Sequence, residues 1–140
     1  SKKLCNLGSK LILKSLKLIE QNNYELIEQN KNNISYARKI DKKESEIDWS
    51  LPASNLIAKI NGLNPFPGVW FYHKGRRLKI IEAIEVDQSG RIGEVLDNNL
   101  TVACKQKAIR VLSIQKEGKK ILKTNEFLTG YKISKGEMLS

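Results

Sequence analysis

Three runs of cationic side chains stand out as the residues best suited to chemistry. Arg38, Lys39, Lys42 and Lys43 form the first, Lys74, Arg76 and Arg77 with nearby Lys79 the second, and Lys116, Lys119 and Lys120 the third. Clusters of this kind neutralise phosphates: each contact releases counterions and adds salt-dependent affinity without reading sequence. The chain as a whole carries a formal charge of +10, which favours a polyanionic partner, nucleic acid first and an anionic membrane surface second. The excess is uneven. Residues 31–45 hold five bases against two acids, and the last 40 hold nine against three, whereas residues 46–100 are close to balance.

Catalytic chemistry is poorly supplied by comparison. The single histidine, His73, falls in a hairpin turn beside Lys74, Arg76 and Arg77 and reads as a surface residue. Two cysteines, Cys5 and Cys104, lie too far apart to build a zinc site with it, and they read as reduced thiols of a cytoplasmic protein. No glycine-rich loop follows a strand and opens a helix with a phosphate-binding spacing. Glu82 and Glu85 sit on opposite faces of one strand and read as surface. Phe66, Trp70, Phe71 and Tyr72 could stack bases. Trp49 and Trp70, however, lie within apolar runs where core packing is the better reading. The sequence therefore predicts no catalytic residue, no metal site and no cofactor site.

The elements that must position the cationic runs follow from periodicity. Leu4, Leu7, Leu11 and Leu18 share one helical face, widened by Ile12, Leu16 and Ile19, so residues 1–22 predict an amphipathic helix. That helix begins with no preceding chain to form the surface its apolar stripe needs, so its partner is expected either later in this chain or in a segment missing from it. Residues 23–45 are rich in Asn, Gln and Lys and read as a linker, with an extended stretch around Ile34 to Ile40. From residue 46 the pattern is compact. A short strand is expected over Glu46 to Trp49, then a helix capped by Ser50 with Pro52 in its first turn, running to about Leu63. Period-2 segments follow at Val69–Tyr72, Arg77–Val86, Glu94–Leu96, Leu100–Cys104 and Ala108–Gln115, with Ile109 and Val111 opposite Arg110, Leu112 and Ile114. A basic loop from Lys116 to Lys120 leads to a short helix around Thr124 to Leu128. The whole reads as mainly β: an OB-like, partly open barrel of five or six short strands with one inserted helix, behind an amphipathic helix and a polar linker.

Several of these segments resemble a known family. Ile47-Asp48-Trp49-Ser50, followed after a helix by Asn64-Pro65-Phe66-Pro67-Gly68-Val69-Trp70, resembles the start of the C-terminal domain of methionyl-tRNA formyltransferases. Tyr36-Ala37-Arg38-Lys39-Ile40 looks like the approach to that domain. Gly93-Glu94-Val95-Leu96 resembles its glycine-led strand, and Leu112-Ser113-Ile114-Gln115, Gly118-Lys119-Lys120 and Glu126-Phe127-Leu128 resemble its closing strand, loop and helix. The first helix is similar to the last helix of the family's N-terminal domain.

What the resemblance implies is a division of labour. Residues 1–22 would be the end of a catalytic domain, 23–45 an interdomain linker, and 46–140 an OB-like barrel that helps hold the acceptor arm of initiator methionyl-tRNA. The family transfers a formyl group from 10-formyltetrahydrofolate to the methionine amino group on that tRNA during translation initiation. It keeps its catalytic Asn, His and Asp, its Ser-Leu-Leu-Pro loop and its formyl donor in the N-terminal domain, and none of those motifs occurs here. His73 and Asp48 are accordingly not the catalytic His and Asp. The chain alone is expected to be inactive, and the full-length protein to be a cytoplasmic monomer without membrane attachment. Three alternatives accompany this reading: the C-terminal module of a relative acting on amino sugars or folates, a general OB-type RNA-binding module, and membrane-surface attachment through the basic first helix.

Overall fold

The computed structural model describes residues 2–139. They form two compact units, residues 1–38 and 39–140. The first holds helix α1 (Lys2–Glu20), in which no residue is buried, and a single 3-10 turn at Lys31–Asn33. The extended stretch expected around Ile34 to Ile40 forms no strand.

The second unit is a curled five-stranded antiparallel sheet with two helices. Its strands are β1 (Val69–His73), β2 (Arg76–Val86), β3 (Thr101–Ala103), β4 (Ala108–Lys116) and β5 (Ile121–Lys123), and its helices are α2 (Ala53–Leu63) and α3 (Thr124–Gly130). The strands run β1-β2-β4-β3, with β5 pairing β4 beside β3. This is the mainly β, partly open barrel with one inserted helix that the sequence predicts. A hairpin joins β1 and β2 through Lys74 and Gly75, both at positive φ (51° and 69°). Two such residues give the turn whose twist matches that of the flanking strands.

The core lies on one face of this sheet. Leu56 and Ile60 of α2 pack with Val69 and Phe71 of β1, Leu78 and Ile80 of β2, and Ile109, Val111 and Ile114 of β4, all at 1% exposure or less. Each fully buried aliphatic side chain contributes roughly 1.5–3 kcal/mol through area removed from water. Trp49 meets Phe71 edge-to-face at 5.8 Å, so the first tryptophan is core as expected.

Four local expectations change. Glu46 to Trp49 is no strand; Glu46 makes an isolated parallel bridge to Trp70, and the Ile47 N–H donates to the Trp70 carbonyl at 2.8 Å. Ser50 does not cap α2, because its N–H and hydroxyl both turn back to Asp48 Oδ1, at 3.0 and 2.6 Å; Pro52 takes the cap position. Glu94 and Val95 make single bridges to Met138 and Val102 without forming a strand, whereas residues 121–123, too short to show a period, pair with β4 as β5. Ile114 joins Val111 in the core and is not on the opposite face. The β2–β4 register shifts twice, past Ile81 in β2 and past Leu112 in β4, and the extra residue in β4 turns Ile114 inward three positions after Val111.

Candidate nucleic-acid interface

A groove of about 370 Å³ runs along the outer side of the β1–β2 hairpin. Its floor is set by strand pairing: Trp70 faces Lys79 and Tyr72 faces Arg77 across the hairpin, all pointing away from the core side that Phe71 and Leu78 occupy. One wall is the short turn Lys42–Ser45. Asp41 opens that turn as a capping box, accepting from the Lys43 N–H at 2.9 Å while Glu44 Oε1 accepts from the Asp41 N–H at 2.9 Å. The bridge between Glu46 and Trp70 then holds the turn against β1. The opposite wall is Gln115, Glu117 and Gly118 at the end of β4 and in the loop beyond it, and the rim is Phe66 and Pro67.

The charges in the groove are not equivalent. Lys42 is exposed in the turn. The Arg77 guanidinium lies 5.7 Å from the centre of the Trp70 ring and pairs with Glu117 at 2.5 Å. Lys79 straps the rim: its ammonium donates to the Pro65 carbonyl at 2.8 Å, and its stem crosses Gly68 so closely that a Cβ there would sit 1.8 Å from Cε. Gly68 also holds φ +79°, so glycine serves both the turn and the crossing. The groove thus gathers three cations around one acid.

The other cationic candidates are distributed elsewhere. Arg38 is exposed in the first unit, and Lys39 and Lys43 are exposed near the start of the second. Lys74 pairs with Glu137 at 3.5 Å, and Arg76 is exposed at the start of β2. Lys116 ends β4, with its ammonium 5.9 Å from the Tyr131 ring, while Lys119 and Lys120 are exposed in the loop that follows. The Lys119 carbonyl accepts from Gln115 Nε2 at 2.7 Å, which ties this loop to the groove wall. The first two cationic runs therefore meet through Lys42, Arg77 and Lys79, and the third borders the groove by its backbone.

A wider hollow of about 700 Å³ lies among Asn98, Arg110, Lys123, Asn125 and Thr129. Its main cation is already engaged: Arg110 contacts Asp97 Oδ2 at 3.3 Å and Thr101 Oγ1 at 3.0 Å. Burial pushes the Asp97 carboxyl up, but hydrogen bonds from Thr101 and Asn99, with Arg110 beside it, leave it below the usual carboxylate range. This hollow offers less unbalanced charge to an anion.

His73 is corrected most sharply. It is not a surface residue of the turn but the buried last residue of β1, with Nδ1 3.0 Å from the Tyr131 hydroxyl and Nε2 2.8 Å from Glu137. Trp70 departs from its reading too, being only half-buried at the groove floor. Of the four aromatics offered for base stacking, Phe66 stands at the groove rim and Phe71 lies in the core, whereas Ser45, which also lines the groove, was not singled out as a contact residue. Among the described residues no three His, Cys, Asp or Glu side chains gather as metal ligands, and no helix is long and apolar enough to cross a membrane. Cys5 and Cys104 are both free thiols.

The sequence pattern of the formyl transferase C-terminal domain matches residues 39–132. A methionyl-tRNA formyltransferase of Pelagibacter ubique is 41% identical over all of this chain and 46% of its own length. One of Rhodopseudomonas palustris is 39% identical over 98% of this chain and 45% of its own. The chain spans about half the length of the curated relatives it matches. Among solved structures, a variant of HypX from Aquifex aeolicus superposes with a TM-score of 0.67 at 18% identity, over 94% of this chain and 26% of that one. HypX in complex with tetrahydrofolic acid gives a TM-score of 0.65, also at 18% identity and with the same coverage. At that identity the likeness is one of fold.

Proposed function

We propose that this chain, which belongs to the formyl transferase C-terminal domain family, is the tRNA-holding part of a methionyl-tRNA formyltransferase. The observation that carries the reading is the groove in which Lys42, Arg77 and Lys79 face one another around the single acid Glu117. Cations placed so can take successive phosphates of an RNA backbone, fixing its position without reading its bases. The relatives' names supply the RNA, a methionyl-tRNA; in this reading it is the initiator, held by its acceptor arm. The exposed residues Lys39, Lys43, Lys119 and Lys120 extend the positive field around the groove and speed encounter.

Formyl transfer to the methionine amine belongs, in this reading, to an N-terminal catalytic domain that also holds 10-formyltetrahydrofolate. The residues of this chain do not fit that donor's chemistry. A general base must reach the attacking amine, and the one histidine is buried between Tyr131 and Glu137. The groove offers phosphate-binding cations, and its one carboxylate, Glu117, is engaged by Arg77. Helix α1 fits the division as well: Leu4, Leu7, Leu11, Ile12, Leu16 and Ile19 are each at least half exposed, an apolar stripe suited to packing on a catalytic domain. Residues 1–22 would then close that domain, 23–45 link it, and 46–140 form the RNA-holding barrel of a cytoplasmic, monomeric enzyme.

Equilibrium binding of initiator tRNA to the purified chain across a salt series tests this reading. Two or three neutralised phosphates give a slope of log K on log salt of roughly −2 to −3. A flat response removes the phosphate contacts, and formylation of methionyl-tRNA by the chain alone removes the division of labour.

A further inference from the structure

Phe66 is 85% exposed, yet its loop is not loose. The loop is tied on both sides: Lys79 Nζ donates to the Pro65 carbonyl at 2.8 Å, Asn64 Nδ2 to the Ile81 carbonyl at 3.3 Å, and the Gly68 N–H to the Leu63 carbonyl at 2.9 Å. A benzyl ring is therefore held in water, between two prolines, at the rim of a cationic groove. A lone exposed phenylalanine on a surface needs no explanation. This one stands beside a second unsatisfied feature: Ser45, which is fully buried and lines the same groove, has a hydroxyl with no hydrogen-bond partner among the described residues.

We propose that this groove is a subsite for one unpaired nucleotide of an RNA strand, with its base stacked on Phe66 and its phosphate held by Lys42 and Arg77. The proposal rests on the RNA-binding reading above and adds to it a contact with a base. The other aromatic of the groove is not free for stacking. Trp70 has the Arg77 guanidinium over its ring, and Tyr72 meets it edge-to-face at 5.2 Å. Trp70 is thus a wall that also steadies Arg77, and Phe66 offers the open face. A ring can take only a base that has left its own stack, so the ligand is single-stranded, because bases in an A-form helix are not presented this way. Three cations against one acid select a nucleotide over a neutral aromatic or an apolar peptide. The volume, about 370 Å³, lies in the range of small-ligand sites.

The experiment compares the full chain with Phe66→Ala and Phe66→Trp, using fluorescence anisotropy with labelled hexa-adenylate and with a blunt RNA duplex of similar length. Stacking on one aromatic side chain corresponds to a loss of roughly 5- to 100-fold on removal. Phe66→Ala should therefore weaken hexa-adenylate binding by that factor with an unchanged salt slope, leave the duplex within about twofold, and be rescued by Phe66→Trp. Unchanged hexa-adenylate binding, or an equal loss for duplex and single strand, overturns the subsite alone, provided the wild-type chain still binds RNA with a salt slope. If the wild-type chain binds neither RNA in a salt-dependent way, the RNA-binding reading falls and the subsite falls with it.

Discussion

His73 Nε2 lies 2.8 Å from Glu137 Oε2, joining the end of β1 to a segment 64 residues later in the chain. The contact is one of a set. The Tyr131 hydroxyl donates to the His73 carbonyl at 3.0 Å and also faces Nδ1 at 3.0 Å, while Glu137 Oε1 accepts from the Ser134 N–H at 3.1 Å. Two backbone bonds extend the attachment: the Val95 N–H donates to the Glu137 carbonyl, and the Leu139 N–H to that of Gly93. The C-terminal segment is therefore clasped at both ends, and His73 is the buried side of the clasp. Replacing it with Ala removes a buried ring and leaves Glu137 and Tyr131 short of a partner. A loss of roughly 2–3 kcal/mol is expected, read as a lower urea midpoint at unchanged slope.

The same contact makes stability depend on pH. The hydrogen bond from His73, helped by the Ser134 N–H and the Lys74 ammonium, holds the Glu137 carboxyl down to about 2. A carboxyl whose folded value lies below its unfolded one stabilises the fold above the unfolded value. That contribution is lost as pH falls from about 4.5 towards 2. Glu137→Gln should be less stable than the wild type at neutral pH and should lose less on acidification across that window. The carboxyl is partly exposed, so solvent screening keeps the difference modest. Parallel melting curves at pH 7 and pH 3 are the measurement, and equal losses in the two proteins would show that another group controls acid sensitivity.

Gly93 marks the other end of the clasp. It holds φ +82°, and a Cβ added there would lie 2.5 Å from the Leu139 carbonyl oxygen, a backbone atom that cannot swing aside as a side chain can. The Gly93→Ala variant must therefore adopt a strained backbone and also push the C-terminal segment away, at a combined cost of roughly 2–4 kcal/mol. Gly118 also has positive φ but nothing within 4 Å, so Gly118→Ala should cost only the strain, about 1 kcal/mol. Thermal melts of the two variants would separate the parts, and equal shifts would remove the steric one.

How far the sequence could foretell these features depends on the range of the interaction involved. The hairpin was legible because Lys74-Gly75 is a local signal and the flanking residues alternate. Helix α2 was legible because Leu56 and Ile60 repeat at helical spacing before two prolines. The inward turn of Ile114 was not, since it depends on an irregularity at Leu112 that shows only in the pairing of β4 with β2. His73 misled for the same reason: its neighbours in sequence are cations, while its partners Tyr131 and Glu137 are 58 and 64 residues away. In the groove, the cationic runs were visible as runs, but their meeting at Trp70 depends on the bridge from Glu46, which pattern alone reads as a strand.

The two cysteines should differ sharply in reactivity. Cys5 is exposed on α1, whereas Cys104 is buried beside the core and desolvation pushes its thiol up to about 11. The thiolate is the reactive form, so Cys104 should resist alkylation and disulfide exchange while the fold holds. One thiol per chain should react with a disulfide reagent at pH 8 under native conditions and two in denaturant. Rapid reaction of both in the native protein would contradict the burial.

Removing residues 1–38 should leave the second unit folded. Every residue of the buried core lies between Ile47 and Leu139, and α1 contributes none. A chain of residues 39–140 should therefore melt within a few degrees of the full chain, since no apolar burial is lost from its core. The deletion should also lower any tendency to self-associate, because it takes away an apolar stripe exposed to water. Sedimentation and melting of the two chains would test both, and a large drop in melting temperature would show that α1 supports the barrel.

Glu117 gives the sharpest prediction about the groove, because removing it should improve binding. It pairs with Arg77 at 2.5 Å and so cancels part of the charge that the groove would present to phosphate. An exposed ion pair of this kind adds at most about 1 kcal/mol to stability, so breaking it leaves the fold intact. Glu117→Gln frees the guanidinium to meet a phosphate, and log K against log salt should steepen by roughly 0.7–0.9, one phosphate's worth. Arg77→Ala works in the opposite direction: it removes a cation and leaves Glu117 unpaired beside the RNA, so it should weaken binding more than Lys42→Ala does. In the double variant Glu117→Gln/Arg77→Ala the unpaired acid is gone, and affinity should return to near that of Lys42→Ala. If Glu117→Gln weakens binding, the acid is positioning Arg77 on the Trp70 ring rather than competing with phosphate for it.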